Sequence, residues 1–149
     1  LKENFIPILE RALNYGKEVG ITVRSSYKTN LSIKAQYCGG NGNLWCVLPT
    51  GLVSSCSRVT KIDDNLSNIY MIGKTDKNAL HIEKEKIETL QEITLPNEKC
   101  RSCFAKWHCA GGCYNTKLLN RGSMPKEHCT IMRYFVWQDI LENLKKGEH

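Results

Sequence analysis

Phe5, Ile8, Leu9, Ala12, Leu13 and Val19 fall close to helical spacing, which predicts an amphipathic helix over the first twenty residues with Pro7 in its first turn and Gly20 as its stop. Residues 21–27 then alternate around β-branched Ile21, Thr22 and Val23, the pattern of a strand. Helix then strand across one glycine is an α/β unit that cannot bury both its faces alone, so chain upstream of it is expected to complete a sheet. The character changes at Tyr37. Cys38-Gly39-Gly40-Asn41-Gly42-Asn43 is a glycine-dense loop, and the runs 44–48 and 52–56, joined by Pro49-Thr50-Gly51, predict a β-hairpin. Residues 60–98 are polar and mixed and read as a connector with one short helix at 82–90. A third part begins at Asn97, and a last helix is expected over 125–146 from Ile131, Met132, Phe135, Val136, Ile140, Leu141 and Leu144, with Cys129 in its first turns. No internal repeat or low-complexity tract interrupts this order.

Composition narrows the class. At 149 residues and 41% hydrophobic content the chain suits one domain or two small ones with a real core. The 21 basic and 15 acidic side chains give +6 with no basic run denser than pairs such as Lys145-Lys146, so nucleic acid is not an expected partner. No apolar stretch approaches the roughly 18–20 residues of a membrane-spanning helix, and no signal-peptide pattern opens the chain. A cytoplasmic protein with no membrane partner is expected. Leu1 leads straight into helical pattern, from which we expect a piece of something longer.

Eight cysteines are the feature that needs a chemical explanation. Disulfides are one use, but eight cysteines allow 105 pairings and nothing suggests export. In Cys100-Arg101-Ser102-Cys103 the thiols are three residues apart, the short bite that turns both sulfurs toward one metal. Structural zinc is a second use, since a C-x2-C pair with further cysteines downstream supplies four thiolates, and His108 and His128, which flank ligand cysteines, either join as ligands or stand as surface or neighbouring groups. Iron–sulfur clusters, each held by four thiolates, are the third.

The complete spacing favours the third. Cys38 is followed by twelve residues, Gly51, four residues and Cys56; then come Cys100-x2-Cys103-x5-Cys109-x3-Cys113 and, fifteen residues later, Cys129. Over residues 36–135 this resembles, at all seven cysteines, the SPASM domain, the auxiliary-cluster extension of radical S-adenosylmethionine enzymes that mature peptides and proteins. The resemblance implies an α+β fold: a small cysteine-rich domain over 36–149, with a β-hairpin and short helices around two metal clusters, preceded at 1–35 by a helix-strand remnant of a partial TIM barrel. It also implies two 4Fe-4S clusters with interleaved ligands: Cys38, Cys56 and Cys113 for the first, Cys100, Cys103, Cys109 and Cys129 for the second. Cys113 leaves its neighbours' cluster for the other, so Ala110-Gly111-Gly112 must turn sharply between them. Counting eight thiolates and two oxidised cores, the +6 chain becomes roughly +2.

Two departures matter. Cys46 lies inside the hairpin rather than close to Cys38, which leaves three roles open: fourth ligand of the first cluster, free thiol beside an open iron site, or small buried strand residue. Ser57 follows Cys56 where sulfatase-maturating members carry an aspartate, so that subgroup is not expected. Phe104-Ala105-Lys106-Trp107-His108 instead resembles maturases that build thioether or carbon–carbon crosslinks in ribosomally made peptides, and Phe104 and Trp107 are expected to pack around the second cluster. The cysteine separations of 8, 10, 44, 3, 6, 4 and 16 contain no 4 followed by 3. The C-x3-C-x2-C motif that binds S-adenosylmethionine is therefore missing, and this chain is expected to be inactive alone. The implied partners are a radical core upstream in the same parent chain, a precursor peptide, and a reductant such as flavodoxin or ferredoxin. Alternatives are a zinc-stabilised non-catalytic binding module and the auxiliary domain of a small-molecule dehydrogenase.

Overall fold

The computed structural model of the chain describes residues 2–93 and 98–147. Leu1, Asn97 and His149, at limits of the expected parts, lie outside the described residues. Helix α1 (Lys2–Glu18) forms as its periodicity predicts, but Pro7 sits beyond the first turn, inside the helix. The helix closes when the Ile21 amide donates back to the Gly16 carbonyl at 2.8 Å. The strand expected at 21–27 does not form. Residues 21–25 pair with no strand among the described residues, and Ile21 is 64% exposed, so β-propensity here meets no ladder to join.

The hairpin forms as expected but shorter. Strands β1 (Cys46–Val47) and β2 (Leu52–Ser54) pair antiparallel around a turn in which the Gly51 amide donates to the Leu48 carbonyl at 2.9 Å. The segment read as a connector supplies the other half of the sheet. After a one-turn helix α2 (Ser67–Tyr70), strands β3 (Met71–Thr75) and β4 (Leu80–Ile82) extend the sheet in the order β1-β2-β3-β4, antiparallel throughout. The turn between them is set by Asp76, whose carboxylate accepts from the Asn78 and Ala79 amides at 2.8 and 2.9 Å. Gly73 is required where it stands, because a Cβ there would lie 2.1 Å from the His81 carbonyl oxygen of β4.

Helices follow: α3 (Lys84–Ile93), the single turns α4 (Glu98–Arg101) and α5 (Lys106–Cys109), the six-residue α6 (Tyr114–Leu119) and the long α7 (Lys126–Gly147). The fold is thus α+β, mixed helix with one four-stranded antiparallel sheet. No helix among the described residues is long and apolar enough to cross a membrane. Two hydrophobic clusters organise the interior. Val53, Val59, Leu66, Tyr70, Met71, Ile72 and Leu90 fill the space between sheet and helices, with Cys56 packed against them. Ala105, Met132 and Val136 form a second cluster, against which Tyr27, Cys103 and Cys109 pack. Each fully buried aliphatic side chain contributes about 1.5–3 kcal/mol, and each cluster ends on a thiol.

The buried stripe of α7 runs through Ile131, Met132, Phe135 and Val136 to an unexpected Asp139, 2% exposed. Asp139 anchors the segment after α1: it pairs with the Lys28 ammonium and accepts from the Asn30 amide at 2.8 Å. Nearby, Tyr134 donates to Glu10 at 2.5 Å and Phe5 meets Tyr27 edge-on, which fixes α1 to α7. Burial draws the Lys28 pKa down, but its bond to Asp139 and the charges of Asp139 and Glu142 outweigh that, leaving it raised. A raised lysine stabilises the fold fully below its unfolded value near pH 10.4 and loses that contribution as pH climbs through the folded value. Asp139→Ala is expected to cost about 1–2 kcal/mol at pH 7, measured by urea unfolding, because it leaves a part-buried ammonium and a part-buried amide without their acceptor. The gap to the unsubstituted chain should narrow as pH climbs past the ordinary lysine value and through the raised folded one; a gap that does not change with pH contradicts the assignment.

Candidate functional site

The thiols fall into two groups. Cys38 precedes a tight turn (Gly39–Asn41) whose Gly40 amide donates to its sulfur at 3.4 Å, while the Ser55 hydroxyl donates to the Gly40 carbonyl at 3.4 Å. That second bond ties the glycine-dense loop to the end of β2, where Cys56 follows. Burial pushes the Cys38 thiol up, the Gly40 amide draws it down, and Cys113 and Cys56 raise it further, a net rise. The first group is therefore Cys38, Cys56 and Cys113.

The second group is Cys100, Cys103, Cys109 and Cys129. Cys103 and Cys109 flank the buried Ala105, and the Cys109 amide donates to the Ala105 carbonyl at 2.8 Å at the end of α5. Burial first, then the proximity of Cys129, Cys100 and Cys103, pushes Cys109 up to about 11. Cys129 is raised too: burial and the Cys100 and Cys103 thiols outweigh the pull of Arg133 and Lys117. All four line one cavity of about 740 Å3, far beyond the roughly 30 Å3 share of a single water. Among the described residues, no three His, Cys, Asp or Glu side chains are gathered tightly enough to hold one metal ion. A tetrahedral zinc with Zn–S near 2.3 Å would draw its sulfurs to about 3.8 Å from one another.

What separates the groups is the link between Cys109 and Cys113. Ala110, Gly111 and Gly112 are all left-handed, with φ of 48°, 78° and 80°. Three successive residues of this kind turn the chain out of α5 and into α6, so the next thiol faces away from its neighbours. A Cβ on Gly112 would come within 2.9 Å of Met124. At the start of α6 Arg58 reaches across, its guanidinium 3.8 Å from the Cys113 sulfur and 3.1 Å from the Thr116 hydroxyl, to both of which it donates. Burial pushes the Cys113 thiol up, but the Thr116 amide and hydroxyl and Arg58 prevail, and its pKa is lowered.

Other expected residues lie elsewhere. Cys46 sits in β1 opposite Ser54, while the thiols acting on Cys38 are Cys113 and Cys56. Phe104 and Trp107 do not pack around the second group. They are 51% and 58% exposed, with Phe104 edge-on to Trp137, and Ala105, Met132 and Val136 form the dry cluster against Cys103 and Cys109 instead. His108 meets the Ser32 carbonyl at 3.1 Å and His128 meets the Tyr27 hydroxyl at 3.1 Å, with burial lowering the His128 pKa. Sequence reasoning passed over Arg58 and Lys117. Nothing marks Arg58 except its position two residues after Cys56. Lys117 lies one helical turn after Cys113, the only signal available.

The opposite shifts of Cys109 and Cys113 are open to measurement. In reduced, metal-free protein near pH 8, iodoacetamide should modify Cys113 well before Cys109, because alkylation follows the thiolate fraction. Cys109 should gain reactivity only as pH approaches about 11. Arg58→Ala should slow Cys113 alone, as peptide mapping by mass spectrometry would reveal; equal rates at both sulfurs contradict the assigned environments. Comparison with protein-family models, curated proteins and solved structures returns no match for the chain.

Proposed function

We propose that the chain is the auxiliary iron–sulfur domain of a radical S-adenosylmethionine enzyme that modifies a ribosomally made peptide, of the SPASM type that its cysteine spacing resembles. The observation that carries this reading is the partition of seven cysteines into two thiol groups on either side of the left-handed Ala110-Gly111-Gly112 link, the division that the motif implies. Cys100, Cys103, Cys109 and Cys129 would hold one 4Fe-4S cluster, and Cys38, Cys56 and Cys113 the other. Cys100, Cys103, Cys109 and Cys129 share one roomy cavity, which would suit a cluster held by four thiolates. Bound there, such clusters supply one-electron transfer, an open iron for a ligand, or both.

The chain's own residues have definable parts in this. Ala105, Met132 and Val136 keep water from the back of the four-cysteine cavity. Arg58 orients Cys113 and favours its thiolate, the form that binds metal. The Gly40 amide does the same for Cys38. The radical-generating core, the precursor peptide and a reductant such as flavodoxin or ferredoxin belong to the longer enzyme that this reading requires, since the C-x3-C-x2-C motif is not in these 149 residues.

Anaerobic reconstitution with iron and sulfide should load about eight irons per chain. Cys56→Ala and Cys109→Ala should each reduce that to about four, by loss of one cluster. Uptake of stoichiometric zinc with no iron would sink this reading in favour of a zinc-stabilised module.

A further inference from the structure

Lys117 is a buried lysine that finds no hydrogen-bond acceptor. Its residue is 6% exposed, its ammonium nitrogen has no hydrogen-bond partner in the structure, and its one described side-chain contact is the face of Tyr114, 5.3 Å from the ring centre. Lysines are almost never buried this far unless paired, because an ammonium removed from water without an acceptor loses its hydration with nothing in return. A ring quadrupole offsets only a small part of that. The missing partner has a place: Lys117 lines the cavity of Cys100, Cys103, Cys109 and Cys129, and its charge acts on Cys129. Among the described residues no second cation lining this cavity is buried without an acceptor: Lys99, Lys126 and Arg133 are exposed to solvent, and Lys106 donates to the Arg101 carbonyl at 2.9 Å.

We propose that Lys117 is the resident counter-cation of the four-cysteine site, held in place for an anionic cluster and raising its reduction potential. This rests on the proposed function, which puts four thiolates and a +2 core, a net charge of −2, in the cavity. Adding one electron makes the site −3, and a fixed positive charge nearby stabilises the −3 form more than the −2 form. The backbone holds the lysine at that post: the Lys117 amide donates to the Cys113 carbonyl at 3.0 Å, so the ammonium and a thiol of the other group issue from one helical turn. Lys117 is a positioning residue by charge. It makes no bond to metal.

The test uses the 149-residue chain carrying Cys38→Ala and Cys56→Ala, so that iron resides only in the four-cysteine site. Reconstituted protein is assayed for iron and sulfide, then titrated with dithionite, the one-electron donor, with the reduced cluster followed by electron paramagnetic resonance. Lys117→Met should hold its iron and become at least tenfold harder to reduce, a potential lower by about 59 mV for a one-electron couple, while Lys117→Arg should restore the value. Loading that fails for Lys117→Met but succeeds for Lys117→Arg also supports the assignment, since charge is then needed for assembly. A Lys117→Met protein with full iron and a shift below twofold overturns it. So does failure of both variants to load while circular dichroism shows them folded, because the retained charge then does not suffice. If the chain with Lys117 intact takes up no iron at all, the proposed function itself has failed, a result separate from either variant's.

Discussion

The geometry of this protein depends on three residues in sequence with positive φ. Ala110, Gly111 and Gly112 reverse the chain between α5 and α6, and without that reversal Cys109 and Cys113, four residues apart, would share one face of a continuous helix and one thiol group. Left-handed backbone at Ala110 costs about 1–2 kcal/mol, which glycine at the next two positions avoids. The cost is met where the surroundings over-determine the turn: the Ala110 amide donates to the Lys106 carbonyl at 2.8 Å, and the Gly112 amide donates to the Cys109 carbonyl at 3.1 Å. At Gly112 the φ of 80° strains any other residue, and a Cβ there would also push aside the Met124 side chain. Strain, turn and thiol partition are one feature.

From this turn the two halves of the interior take their roles. The four-stranded sheet and its cluster end on Cys56, so the hairpin positions the first thiol group. Helix α7 contributes Met132 and Val136 to the second cluster and Cys129 to the second thiol group, so the packing of its first three turns is what brings a residue sixteen positions beyond Cys113 back beside Cys109. Neither cluster is large. Beside the second cluster, four half-buried cysteines line one cavity. On the proposed reading the clusters themselves complete the interior, and metal binding is then coupled to folding.

How much of this was legible in the sequence depends on whether a residue's signal was local. The hairpin was, because proline and glycine two residues apart dictate a turn; α7 was, because its apolar period runs for several turns. Residues 21–27 misled because β-branched residues favour a strand only where a neighbouring strand exists. Strands β3 and β4 were missed because each is five residues or fewer, Met71, Ile72 and Gly73 are buried in succession without alternation, and the turn signal is carried by the Asp76 side chain. Asp139 was invisible since a carboxylate on a buried stripe contradicts the period that reveals the stripe. The division of the thiols was legible only through resemblance to a known motif. Spacing alone does not say that neighbours in sequence part company, and the positive φ values supply the reason.

The two thiol groups also differ electrically, and the difference follows from which element presents each sulfur. Cys113 stands at the first turn of α6, where the Thr116 amide and the Arg58 guanidinium meet it, and its thiolate is favoured. Cys109 stands at the last turn of α5, among three other sulfurs and an apolar wall, and its thiolate is disfavoured up to about pH 11. The Gly111 amide offsets only part of this at Cys109, so further positive charge for the second group comes from side chains. Lys117 is four residues beyond Cys113 on the same helix, an advance of about 6 Å, so the helix that presents one group's thiolate carries the other group's cation. The two sites are thus one electrostatic unit built on a six-residue helix, and a change of charge in either alters the field in which the other works.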